Sequence, residues 1–353
     1  MFLLESYPIA VLFCVITMLC WGSWGNTQKA AGKTWRFELF YWDYVLGVLL
    51  MSLIFAFTLG SHGEWGRGFC ADLSQASPQS LGWAFAGGVV FNIANIMLVA
   101  AIAIAGMSVA FPVGIGLALV LGVILNYLAD QSGNAALLFG GVALVTVAIL
   151  LNARAYGQLP QDEENSGGAS KKKGLILAIL CGVLMSLFYY FVASSLAKVE
   201  VSGTLWDLTA ANMQKDGAIL QAGKLTPYTA NVIFALGVFV SSFLVLPFLM
   251  AKPVVGTPVA LSEYFRGSCQ EHAWGIVGGC IWAVGMSLNV IAAGVASPAV
   301  SYGLGQGATL IAAIWGVFIW REFKAAPQST GKILAAMFLC FLIGLTLIIW
   351  TKL

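Results

Sequence analysis

Charge is scarce in this sequence. Only 9% of its 353 residues are charged, 17 Lys and Arg against 15 Asp and Glu. A soluble globular domain carries about a quarter, so a chain whose whole surface faces water is excluded. Histidine is scarcer still: His62 and His272 are the only two, and both are read as loop residues. The seven cysteines (Cys14, Cys20, Cys70, Cys181, Cys269, Cys280, Cys340) are scattered without a CxxC, so neither a metal site nor a disulfide framework is predicted. With no paired carboxylates and no nucleophile–base set at membrane depth, the chain lacks the reagents of a membrane enzyme. The basic segment of a signal peptide is also missing. Met1 to Tyr7 carries no Lys or Arg, and Trp21, Trp24 and Asn26 do not make a small-residue cleavage site. The first apolar run is therefore expected to remain as a span.

Apolar residues are abundant, at 60%, with 12% aromatic and a mean hydropathy of +0.90. A helix needs about 20 apolar residues to cross a bilayer, and the alternation of a membrane β-barrel is absent. The reading is an all-α integral membrane protein with ten spans: Pro8 to Gly25, Phe37 to Leu59, Leu81 to Ala105, Ser108 to Leu128, Ala135 to Leu151, Leu175 to Ala197, Tyr228 to Leu249, Ala273 to Ala293, Pro298 to Trp320 and Ile333 to Trp350. A hydrophilic break, Asn152 to Lys173, reads as a linker, which divides the chain into residues 1–153, a linker over 154–173, and residues 174–353. The loops after odd-numbered spans hold 12 of the 17 Lys and Arg, and those after even-numbered spans hold 5. The positive-inside rule then puts the linker in the cytoplasm and both termini outside, as in a bacterial inner membrane.

Shifting the sequence by 191 residues lays Gly82 to Leu125 on Ala273 to Gly316 without a gap. Trp83, Gly87, Gly88, Gly114 and Gly116 then fall on Trp274, Gly278, Gly279, Gly305 and Gly307, among ten coincidences. A shift of 167 places Cys14 and Met18 on Cys181 and Met185, with Trp21 and Trp24 opposite Phe188 and Phe191. The repeat unit is five spans. Because five is odd, the second copy enters from the other side, which predicts a 5+5 inverted-topology repeat and a two-sided carrier.

Several segments resemble known families. Trp315 to Phe323, closing span 9, is similar to the closing motif of the drug/metabolite transporter superfamily. Tyr41-Trp42-Asp43-Tyr44, Leu125-Asn126-Tyr127-Leu128 with Asp130, Leu225-Thr226-Pro227-Tyr228-Thr229-Ala230, and Arg266-Gly267 resemble the ureide permease family, in the same order. That resemblance implies secondary active uptake of oxo derivatives of nitrogen heterocycles, such as allantoin, uracil and xanthine, by proton symport. The superfamily also implies alternatives: porters of pentoses, nucleosides or other sugars, and exporters of drugs or metabolites. The Walker-A-like stretch described for plant members has no counterpart here, since residues Gly168 to Gly174 lack GxxxxGK[ST].

Few ionisable groups are available inside the membrane, so each is a candidate. Asp43 lies six residues beyond Phe37, roughly 9 Å along a helix. It reads either as an interfacial carboxylate paired with Lys29 or Arg36, or as a proton carrier whose exposure changes during transport. Glu38 is expected nearer the interface. Glu5 is a gate candidate, and Glu322 beside Arg321 reads as a helix-end charge pair. A neutral polar solute needs amides, hydroxyls and flat walls. Asn92 and Asn95 share one face of span 3. Ser287 and Asn289 come from span 8, and Tyr302 and Gln306 from span 9. Trp21, and Tyr189 beside Phe188, offer stacking surfaces. Asn92, Asn95 and Asn289 are predicted to converge from the two halves. The expected partners are a small molecule, H+ and the bilayer. No cofactor, metal or nucleic acid is expected, and the chain is expected as a monomer or homodimer.

Overall fold

The structure, a computed structural model, describes residues 1–32, 35–159, 168–253 and 256–353. Among the described residues, ten helices are long and apolar enough to cross a membrane: α1 Tyr7–Ala31, α2 Phe37–Phe57, α3 Pro78–Ala105, α4 Val109–Ala129, α5 Ala135–Tyr156, α6 Lys172–Ser195, α7 Pro227–Ala251, α8 Cys269–Ala296, α9 Pro298–Ile319 and α10 Thr330–Trp350. They coincide with the predicted spans to within a few residues at each end. Several starts are written locally. Pro78 and Pro227 occupy the first turn, behind Ser77 and Thr226 whose side chains accept from Ser80 and Thr229 N–H. Ser268 and Glu271 form a reciprocal capping box at α8.

Three features depart from the sequence reading. Helix extends to Tyr156 and resumes at Gly168, so Arg154, Lys172 and Lys173 prolong helices instead of lying in a linker. The centre of that linker, residues 160–167, lies outside the described residues. The break after span 6 folds into a small sheet of order β2-β1-β3, with β1 Val199–Val201, β2 Thr204–Trp206 and β3 Ile219–Leu220. Its hairpin turns at Ser202 and Gly203, with φ of 49° and 79°, the left-handed pair that a two-residue hairpin favours. Arg67 clamps the sheet's far end by donating to the carbonyls of Leu220, Gln221 and Lys224 while pairing with buried Asp72 at 3.0 Å. Finally, α9 is discontinuous: it breaks at Gln306 and Gly307, then ends in a π turn, Trp315–Ile319.

Glycine sets the closest crossings. A methyl on Gly88 of α3 would strike the Phe234 carbonyl of α7, and one on Gly237 the Phe85 carbonyl. At a second crossing between the halves, Gly279 of α8 lies against the Tyr44 carbonyl of α2, and Gly47 against that of Ile276. Gly141 and Gly344 do the same reciprocally between α5 and α10. Without a hydrophobic drive between helices in lipid, such backbone approach is what holds spans together. Aromatic rings fill the middle of the bundle. Trp21 stacks on Trp282 at 5.8 Å, Phe188 meets Phe91 at 5.2 Å, and Phe91 and Trp282 join the two pairs at 4.5 Å.

Candidate functional site

The break in α9 places backbone and polar side chains beside this aromatic centre. Gly305, just before the break, lies against the Trp21 ring and the Asn289 amide. Asn289 Nδ2 donates to the Ser301 carbonyl at 2.8 Å, and the Tyr189 hydroxyl sits 2.8 Å from Ser301 Oγ and 3.3 Å from the Asn289 carbonyl. Tyr302, 5.2 Å from the Tyr189 ring, donates to the Ala118 carbonyl at 3.1 Å. Gln306 is buried at the break itself. Trp21, Tyr189, Asn289, Tyr302 and Gln306 are thus brought together from α1, α6, α8 and α9. One acceptor here has no hydrogen-bond partner among the described residues, Asn289 Oδ1; Ser287 Oγ, two residues earlier on α8 and so on a different face, is also buried without one. A buried polar atom left unpaired costs about 1–3 kcal/mol, and such atoms in a membrane protein mark where a ligand or water belongs.

Asn92 and Asn95 do not converge on Asn289. Asn92 Oδ1 accepts from Tyr41 at 3.0 Å while its Nδ2 donates to Ser241 at 2.8 Å and Ser242 at 3.1 Å. Asn95 donates to the Tyr41 hydroxyl at 3.0 Å. These amides are consumed in binding α2, α3 and α7 together, the alternative use of polar groups between membrane helices. Trp21 is likewise no open platform, because its indole covers Trp282 and donates to the Trp282 carbonyl at 3.2 Å.

Asp43 is buried, and its partners are neither Lys29 nor Arg36. The carboxylate accepts from Tyr264 at 2.6 Å and lies 2.9 Å from His272 Nδ1. His272 is therefore not a loop residue; it sits in the first turn of α8, with a quarter of its side chain exposed against 2% for Asp43. Gly275, one turn further, makes room for the Asp43 side chain at this crossing. Burial and the adjacent carboxylate push the Tyr264 phenol well above its ordinary pKa, which keeps it a donor. Glu38 is buried and held by Arg36 at 2.6 Å.

Glu322 pairs with Lys29 at 3.1 Å and accepts from Tyr156 at 2.7 Å, and Arg321 is not its partner. This cluster lies at the mouth of a cavity of about 240 Å³ between α1, α4, α5 and α9, on the side of the linker. At the opposite mouth the matching depression is about 60 Å³, beneath the β-sheet, and Asp207 lies 3.9 Å from both Lys198 and Lys352. Glu5 is exposed there and makes no hydrogen bond or ion pair among the described residues. Sequence reasoning missed Tyr264, Tyr156, Asn152 and Asn231. The last carries both amide atoms buried without a partner among the described residues, and an amide inside an apolar run was its available signal.

Ten membrane-length helices among the described residues, around a buried, partly unpaired polar site, with a larger cavity at one mouth and a smaller one at the other, define a polytopic carrier of the permease class. The chain belongs to the ureide permease family, whose model matches residues 40–173 and 165–351. It is 24% identical to Ureide permease 1 of Arabidopsis thaliana over 398 residues, covering 99% of this chain and 98% of that one. It is 25% identical to Ureide permease 3 of the same plant over 306 residues, covering 82% and 86%. Probable ureide permease A3 of Vigna unguiculata is 23% identical over 380 residues, covering 93% and 99%. A solved crystal structure superposes with a TM-score of 0.54 at 14% identity, covering 97% of this chain and 98% of that one, a likeness of fold alone.

Proposed function

We propose that the protein imports a small uncharged ureide or related lactam by alternating access coupled to protons. The observation that carries this reading is the unpaired acceptor Asn289 Oδ1, on an amide that already binds the Ser301 carbonyl of α9. It suits an N–H group of a neutral amide and offers no charge to a cationic drug. The relatives' names, ureide permeases, point the same way. The matched glycine crossings support an inverted repeat, in which the two halves rock about the aromatic centre. That repeat and the Trp315 to Phe323 motif support placing the family within the drug/metabolite transporter superfamily. The charge count supports a cytoplasmic linker, and the larger cavity then faces inward.

Asp43 and His272 are the proposed coupling pair. A proton arriving from the linker side reaches the more exposed imidazole and passes to the buried carboxylate at 2.9 Å, with Tyr264 holding the acceptor oxygen. An empty carrier must release that proton before returning, so Asp43→Asn, which mimics the loaded carboxyl, separates the two activities. In vesicles it is expected to retain exchange of labelled allantoin between filled compartments while losing accumulation driven by a pH gradient. Full gradient-driven accumulation by the variant removes Asp43 as the proton site. Ribose and a nucleoside in the same assay test the alternative cargo.

A further inference from the structure

The linker-side cavity carries chemistry that the central site does not use. Asn152 lines it, is 5% exposed, and its Oδ1 has no hydrogen-bond partner among the described residues. No described hydrogen bond engages its Nδ2 either, so this carboxamide is left without a partner at the cavity wall. The walls are flat. The π turn brings Trp315 and Trp320, five residues apart, onto one face with ring centroids 6.4 Å apart, where an ordinary α-helix would splay them. The mouth is charge-neutral, because Lys29 lies over the Trp320 ring at 4.6 Å and is bound to Glu322, which also holds Tyr156. Gly316 is glycine because a side chain there would strike both Glu322 and Tyr156. The cavity's inner end is lined by Gly22, the residue after Trp21 of the central site.

We infer that this cavity is a second binding station for the transported molecule, on the path between the central site and the linker side, and that Asn152 reads its cis-amide edge. The inference rests on the uncharged-ureide reading above. A primary carboxamide presents C=O and N–H side by side, and a cis –CO–NH– group, as in a hydantoin or uracil ring, returns the complementary pair. A pentose has no such edge. About 240 Å³ is space for one such ring, with the two indoles against its face.

Gly25 provides the probe, since it lines the cavity and a side chain built there meets nothing within 4 Å. In the full-length protein reconstituted in vesicles, Gly25→Cys is labelled with N-ethylmaleimide and the modification at position 25 is followed by peptide mass spectrometry. Hydantoin is expected to slow labelling several-fold and ribose to leave it unchanged. Adding Asn152→Leu should abolish the protection without changing the rate in the absence of hydantoin, which shows that the cavity is intact. Adding Asn289→Leu should leave protection in place, because the station binds independently of the centre. If Asn289→Leu abolishes protection as fully as Asn152→Leu does, or if hydantoin is transported yet protects nothing, the station is overturned while the function stands. If hydantoin and allantoin are neither transported nor protective, the ureide reading itself falls.

Discussion

On the proposed inverted repeat, the two sides of the aromatic centre match in backbone and differ in chemistry. Where the side away from the linker has Tyr189, Asn289, Ser301, Tyr302 and Gln306, the positions 167 or 191 residues earlier hold Gly22, Leu98, Ala110, Phe111 and Ile115. Gly114 faces Leu98 just as Gly305 faces Asn289. Yet α4 runs on as an α-helix where α9 tightens at Gln306 and Gly307, and the cavity is about 240 Å³ on the apolar side against about 60 Å³ on the polar side. Packing repeats because close helix crossing demands glycine at fixed places. Recognition does not repeat, because one solute needs one set of donors and acceptors.

The largest expected effect tests what the two crossings between the halves have in common. Gly88→Ala and Gly279→Ala each push a methyl into a backbone carbonyl that cannot rotate away. Overpacking of this kind costs about 1–3 kcal/mol, and both variants should lose thermal stability in detergent by similar amounts. A large loss in one and none in the other would break the equivalence of the two crossings.

The next test concerns the difference. Asn289→Leu gives the polar side its counterpart's residue, leaving the Ser301 carbonyl and one edge of the ligand unpaired. At about 1–3 kcal/mol for such a loss, binding of a ureide should weaken by about 10- to 100-fold, read by calorimetry. Asn95→Leu should instead lower thermal stability with little change in affinity, since that amide serves Tyr41. Equal loss of affinity in both would move the site back toward α3.

How far the sequence carried this picture depends on the range of the interaction. Spans follow from local hydropathy, and the glycine register from repetition, so both were legible. Asn92 and Asn289 are indistinguishable as buried amides in apolar runs. Only the tertiary neighbours decide that Ser241, Ser242 and Tyr41 use up the first while the second keeps a free oxygen. Asp43 was legible as a lone deep carboxylate, but His272 is 229 residues away and its helix begins one turn earlier than hydropathy suggests. The β-hairpin was readable from Val-Glu-Val, Ser-Gly and Thr-Leu-Trp, had the long loop been searched for period-two alternation.

The smallest expected effect separates the two mouths by pH. Burial, and then Asp130, hold the Asp207 carboxyl above the ordinary carboxylate range, against the opposing pull of Lys352 and Lys198. Burial also draws Lys352 below its ordinary value, although Asp207 and Asp130 oppose that shift. A group whose pKa is raised in the closed structure binds its proton more tightly there than in a hydrated, open one. Its contribution to closure is therefore present below the ordinary aspartate pKa and is lost as pH rises through the raised one. Asp207→Asn fixes the neutral form. It should melt slightly above the unaltered protein at pH 7, with the difference closing as pH falls below about 4. The effect is small because about a third of the Asp207 side chain is exposed and its lysines are 3.9 Å away. A lower melting temperature for the variant at pH 7 would mean that the lysines outweigh burial, and that ion pairs to Lys198 and Lys352 hold the opposite mouth together.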